Sequence, residues 1–173
     1  TVLVMYTLRS RVAGEEVYLD GPINKRMYAS FACKEHAFVV ARREANRRGF
    51  EPDSEKVVQI VIDGERCLEQ YARRYFPEAI LTLDSIHAIE KLWDVAHALF
   101  RRGSNAAREW AERQRRRLFR GKAHLILKDI EQELGAIPKT GPGTRGKRER
   151  LSKAHHYLST RVELMNYDEL LQR

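Results

Sequence analysis

The chain has few cysteines, no long apolar run and none of the short motifs that mark the commoner enzyme chemistries. Two cysteines, Cys33 and Cys67, among 173 residues are too few for a disulfide framework and point to a reducing, intracellular compartment. No apolar run approaches the roughly 20 residues that cross a bilayer, so no membrane partner is expected. The opening TVLVMYTLRS is too short and too β-branched for a signal peptide, and no small-residue cleavage site follows it. A glycine-rich phosphate loop, a G-x-S-x-G elbow and an H-E-x-x-H helix are all absent. The stretch GTRGKRER lacks the strand and spacing of a P-loop. No internal repeat is visible.

What is present is a globular composition with uneven charge. Hydrophobic residues at 43% and charged residues at 32% describe a chain able to bury one core. The net charge of +8 lies in the second half, and the first hundred residues are slightly acidic. Residues 101–120 hold eight arginines against Glu109 and Glu112, and residues 139–153 hold six Lys or Arg against Glu149. A surface of this kind attracts polyanions by releasing their counterions. Arg113, Arg115, Arg116, Arg117, Arg120, Lys147 and Arg148 are the candidate nucleic-acid-binding residues, with DNA as the partner. A solvated helix face is the plainer explanation.

Residues 2–8, VLVMYTL, predict a strand, and turn residues on either side of VYL precede a further strand in KRMYASF. This reads as a meander of two or three antiparallel strands. A helix is expected over 34–48, with Gly49 ending it, and EPDSE is a loop. KVVQIVID reads as a buried parallel strand. A helix ended by Pro77, a second buried strand in AILTL and an amphipathic helix from Asp84 follow. The stripe of that helix is Ile86, Ile89, Leu92, Trp93, Ala96, Leu99 and Phe100. Gly103 and Ser104 break it, and helices over about 105–119 and 122–134 come next. GAIPKTGPGTRGKRER predicts an exposed basic loop, and a helix of about 148–164 completes the pattern. The expected class is α/β, a mixed sheet with the antiparallel meander first and parallel strands after, covered by helices, then an all-helical part. The RNase H-like fold is one case.

Two apolar runs end on an acid, Asp63 in IVIDG and Asp84 in ILTLDSIH. Sites in open α/β sheets gather at the carboxyl ends of parallel strands. Carboxylates there suit Mg²⁺ or Mn²⁺, ions that promote phosphodiester chemistry. Each acid also has a structural explanation: Asp63-Gly64 is a common turn pair, and Asp84 is a good N-cap. His87 lies three residues after Asp84, on the same helix face. Cys33-x-x-His36 has metal-like spacing, but zinc would need two more ligands, with Cys67 and His87 the only obvious candidates. Asp20 and Asp53 fall in expected turns and are not promoted to the site.

As a set these residues resemble the central part of bacterial DDE transposases of the insertion-sequence type, relatives of the Mutator-like group. The resemblance is carried by Asp63-Gly64, Phe76-Pro77, Asp84-Ser85-Ile86-His87 and Glu90-Lys91-Leu92-Trp93. The Gly103-Ser104 break, Trp110 and LFRGK continue it. It implies an RNase H-like core in which three acids bind two divalent ions, Mg²⁺ or Mn²⁺, for DNA strand cleavage and transfer. By resemblance Asp63 is the second, metal-binding acid, and Asp84 and His87 are an accessory catalytic pair. The first acid is expected on a strand ahead of Thr1, the final Glu on a helix after Arg173. The central first strand is therefore expected to be missing, and the chain to be inactive alone. A homo-oligomer in a transposition complex and a cytoplasmic, nucleoid-associated location in a bacterium follow from the same resemblance.

The expected division is a partial RNase H-like core over residues 1–102 and a basic helical insertion over 103–173. Two other readings stay open: a non-catalytic basic nucleic-acid-binding module, and an α/β protein of unrelated function.

Overall fold

The computed structural model describes residues 1–13, 16–51, 54 and 56–168, and the side chains of 10–19 fall outside that description. Asp53 and the end of YDELLQR therefore lie outside the described residues. Contacts divide the chain into two compact units, one of residues 1–58 and 66–80, the other of 59–65 and 81 onward.

The first unit opens with β1 (Val2–Ala13) and β2 (Glu16–Ala29), paired antiparallel. The meander is one hairpin of two long strands. VYL and KRMYA belong to a single strand, although Asp20-Gly21-Pro22 reads as a turn. The register explains how. Thr7 pairs with Ile23 and Arg9 with Asp20, so Gly21 and Pro22 together oppose Leu8 alone. Met5 pairs with Arg26, so Asn24 and Lys25 oppose Tyr6. Each extra residue forms a β-bulge, where a proline without an N–H and an asparagine at φ 52 are both accommodated. Asp20 thus sits in a strand, not in the expected turn.

The unit continues with α1 (Lys34–Arg47) and α2 (Arg66–Tyr75). Ala37, Phe38, Ala41 and Ala45 are the buried face of α1, and Phe38 meets Tyr71 of α2 with ring centroids 5.9 Å apart. Arg42 bonds Glu78 within the same unit.

β3 (Gln59–Ile62) and β4 (Ile80–Leu83), which apart from Ile80 belong to the second unit, form a two-stranded sheet. Ile80 N–H donates to Val58 and Asp84 N–H to Ile62. Both positions advance by four residues, so the strands run parallel. The sequence predicts strands buried on both faces, but β3 is not. Val61 is 56% exposed while Ile62 is 5% exposed, the alternation of a strand covered on one face. Among the described residues the antiparallel and parallel pairs are separate sheets.

Four longer helices complete the unit: α3 (Ser85–Leu99), α4 (Asn105–Phe119), α5 (Ala123–Ala136) and α6 (Thr144–Ser159). A 3₁₀ turn follows over Val162–Leu164. α3 packs on α4 and α6, while α5 contacts both α4 and α6. Leu92 and Val95 of α3 meet a core that includes Leu118, Ile126, Ile130, Leu151 and Leu158, all with no more than 2% exposure. Each such side chain stabilises the fold by about 2 kcal/mol through burial. Ile86, placed in the apolar stripe by its spacing, is instead 65% exposed. It lies in the first turn of α3, at the strand-end edge of the sheet.

α6 begins four residues before the expected start, so the second half of the basic loop is helical. Gly143 adopts the left-handed φ of 73° just before it. Gly146 costs about 1 kcal/mol inside a helix. Burial of Leu151, Ala154 and Leu158 on the same helix outweighs that cost.

Candidate functional site

The carboxyl ends of β3 and β4 adjoin. The bond from Asp84 N–H to the Ile62 carbonyl is 2.7 Å, so Asp63 and Asp84 follow the last paired residues at one edge of the sheet. Each acid also has a local role. Asp63 Oδ1 accepts the Glu65 N–H at 2.9 Å, closing a turn in which Gly64 has φ +85°. Asp84 Oδ1 accepts the Ile86 N–H at 2.9 Å and caps α3, satisfying one of the free donors of its first turn.

Along α3 the side chains of Asp84, His87 and Glu90 form a row. Asp84 Oδ2 lies 3.9 Å from His87 Nε2, and Glu90 Oε2 lies 3.2 Å from His87 Nδ1. The spacing of three residues, slightly under one turn, produces this row. At 3.9 Å the first contact is too long for a hydrogen bond.

Sequence reasoning missed the other half of the site. Tyr157 of α6 donates its hydroxyl to the Asp63 carbonyl at 2.7 Å. Arg161 Nε donates to the Gly64 carbonyl, also at 2.7 Å. The Arg161 guanidinium stands 4.2 Å from the Tyr157 ring centroid, and Lys91 Nζ lies 5.6 Å from it. Tyr167 donates its hydroxyl to the Leu83 carbonyl at 2.8 Å. Burial pushes the Tyr157 hydroxyl above the ordinary tyrosine range, the Arg161 charge opposes this, and Asp63, Asp84 and Glu90 push it up further. Tyr167 is also pushed up, chiefly by burial and then by the Asp84 charge. Tyr157 in the last turn of α6 and Arg161 just past its end are four apart, a spacing visible in YLSTR. Nothing in the sequence says that this pair meets a turn more than ninety residues earlier.

Among the described residues no group of three or more His, Cys, Asp or Glu is placed to hold a metal ion. Cys33, His36, Cys67 and His87 therefore form no zinc centre. Asp63 and Asp84 offer two carboxylates, each with Oδ2 not hydrogen-bonded to a described residue. Such oxygen donors fit a hard divalent cation that keeps part of its water shell.

The basic residues divide by environment. Arg117 donates to Asp129 at 2.5 Å and to Gln114 at 3.1 Å. Gln114, fully buried, donates to Asp129 in turn at 2.8 Å. Arg148 donates to the carbonyls of Leu134 and Ile137 at 2.8 and 2.7 Å, tying down the end of α5. Arg115 pairs with Glu112 at 3.2 Å and stays half exposed. Arg113, Arg116, Arg120 and Lys147 are exposed and form no ion pair with a described residue. No described helix is long and apolar enough to cross a membrane.

No family model, curated protein or solved structure matches this chain.

Proposed function

We propose that the chain is part of the RNase H-like catalytic domain of a bacterial insertion-sequence DDE transposase, and that Asp63 is one of its metal-binding acids. The reading is supported by one observation above the others: two acids stand at adjoining carboxyl ends of parallel strands, and one of them shares a helix face with His87. A divalent ion bound there, Mg²⁺ or Mn²⁺, supplies Lewis acidity toward a phosphodiester.

The chain's own residues have separate parts in this scheme. Asp63, whose Oδ1 accepts the Glu65 N–H in the turn, would hold the ion through its other oxygen. Asp84 holds the start of α3, and His87, bonded through Nδ1 to Glu90, turns Nε2 toward Asp84 and the strand ends. The remaining acids belong, by the resemblance, to segments flanking residues 1–173. DNA is then the partner, in a nucleoid-associated complex that holds more than one copy. The test is Mg²⁺-dependent nicking of DNA by the parent protein with those segments present. Asp63→Asn should abolish it, and residues 1–173 alone should show none. Nicking by residues 1–173 that Asp63→Asn abolishes would mean that the full set of acids lies within this chain.

A second reading, a basic nucleic-acid-binding module without catalysis, is favoured by the exposed Arg113, Arg116, Arg120 and Lys147. It predicts DNA binding that Asp63→Asn leaves untouched and no nicking by any form of the protein.

A further inference from the structure

The carboxyl end of a parallel pair leaves backbone carbonyls beyond the last ladder bond, free to accept from side chains. Here the partners come from α6 and the segment after it. Tyr157 serves the Asp63 carbonyl, Arg161 the Gly64 carbonyl and Tyr167 the Leu83 carbonyl. Arg161 is itself fixed, because its Nη1 donates to the Tyr157 carbonyl at 3.0 Å and its guanidinium stacks on the Tyr157 ring. Gly64 completes the fit. A Cβ at that position would stand 2.5 Å from Arg161 Nε and 2.8 Å from the Tyr157 hydroxyl.

The Asp63 turn is therefore held twice. Its own carboxylate bonds the Glu65 N–H from within, and one side chain of α6 and one just after it hold its carbonyls from outside. Free rotation of the Asp63 and Gly64 peptides would swing the carboxylate away from the edge shared with Asp84. The two donors remove that freedom, and the ring stacking removes the freedom of the donors.

We infer that Tyr157 and Arg161 are positioning residues for the Asp63 carboxylate, acting through the backbone of its turn. The mechanical part is independent of any chemistry at the site. Its consequence for cation binding rests on the reading of Asp63 as a metal-binding acid.

The experiment uses residues 1–173 and the variants Tyr157→Phe, Arg161→Leu, Arg161→Lys and Asp63→Asn, each checked for native circular dichroism. Amide hydrogen exchange by NMR reads the turn directly, and Mn²⁺ alone, followed by water-proton relaxation, reads the carboxylate. Loss of the Tyr157 hydrogen bond should speed exchange of the Glu65 amide at least about fivefold, the effect of one ordinary hydrogen bond. Exchange of the Ile86 amide, which is held by Asp84, should be unchanged. Mn²⁺ affinity should fall severalfold in Tyr157→Phe and Arg161→Leu and be lost in Asp63→Asn. Arg161→Lys, which keeps one donor, should recover part of both readouts. Unchanged Glu65 exchange in Tyr157→Phe, a variant that removes a single oxygen, overturns the inference even if Arg161→Leu fails to fold. Faster exchange in a protein that never binds Mn²⁺ leaves the positioning intact and means that Asp63 holds no ion without the flanking acids.

Discussion

Gly64 lies so close to Arg161 that a Cβ there would meet Arg161 Nε at 2.5 Å and force that side chain to move, and the backbone already holds φ at +85°. The glycine of the Asp63-Gly64 pair thus answers to two demands, a left-handed turn and a close approach by a side chain. Gly64→Ala should destabilise the protein by about 2 kcal/mol or more, since it incurs both the conformational strain and the clash. Urea unfolding followed by circular dichroism measures it. A loss under about 0.5 kcal/mol would mean that the turn rearranges freely.

Asp84 combines a cap with a candidate catalytic charge, and two substitutions separate them. Asp84→Ala should cost about 1 kcal/mol of stability through loss of the bond to the Ile86 N–H. Asp84→Asn keeps a capping oxygen, so its stability should stay close to that of the natural protein while the negative charge beside His87 disappears. Thermal unfolding of the two variants gives the comparison. Equal losses would deny the cap.

The environment of Arg117 sets it apart from its neighbours. Arg117→Ala removes the charged partner of Asp129 and one bond to the buried Gln114, and should cost about 1–3 kcal/mol. Arg113, Arg116 and Arg120 are the better probes of polyanion binding. Their joint replacement by alanine should leave stability nearly unchanged and lower the salt slope of DNA affinity by roughly one to three units. Fluorescence anisotropy with duplex DNA at several salt concentrations measures that slope. An unchanged slope would make these arginines an ordinary solvated surface.

Tyr157 and Tyr167 predict an alkaline transition. Both hydroxyls lie above the ordinary tyrosine value in the folded protein, so the protonated forms favour folding. Their contribution is complete below the unfolded value of about 10 and is lost as pH rises through the higher folded values. Tyr167→Phe should be less stable than the natural protein at neutral pH, for want of the bond to Leu83. The gap should narrow at strongly alkaline pH, where Tyr167 is driven to ionise. Urea midpoints across that range test it, and a gap independent of pH would contradict the shift.

The parts of this structure that were legible in the sequence are those fixed by near neighbours. The spacing of Leu92, Ala96 and Leu99 marks α3, Asp84 before Ser-Ile-His marks its cap, and Gly103-Ser104 marks the start of α4. The bulged β2 was not legible, because Gly21-Pro22 and Asn24 are turn formers by themselves and only the ladder with β1 keeps them in a strand. The start of α6 was hidden for a similar reason, since Gly146 weakens a helix that distant leucines nevertheless hold. In the site, Asp63 and Asp84 could be picked out because acids end both apolar runs. Tyr157, Arg161 and Tyr167 could not, because their partners are backbone carbonyls, which carry no residue-specific signal.

The bonds from Tyr157 and Arg161 to the Asp63 turn span 94 and 97 residues of sequence, which has a consequence for timing. Closing so large a loop carries an entropic cost that local helices do not face. During synthesis the segment of β3 and β4 emerges well before α6 exists, because translation proceeds from the amino end at about 5–20 residues per second. The two acids are therefore made early but are locked into place late, once the carboxyl-terminal part of the unit has docked. A nascent chain halted before Tyr157 would carry both acids on strand ends held only by their local bonds.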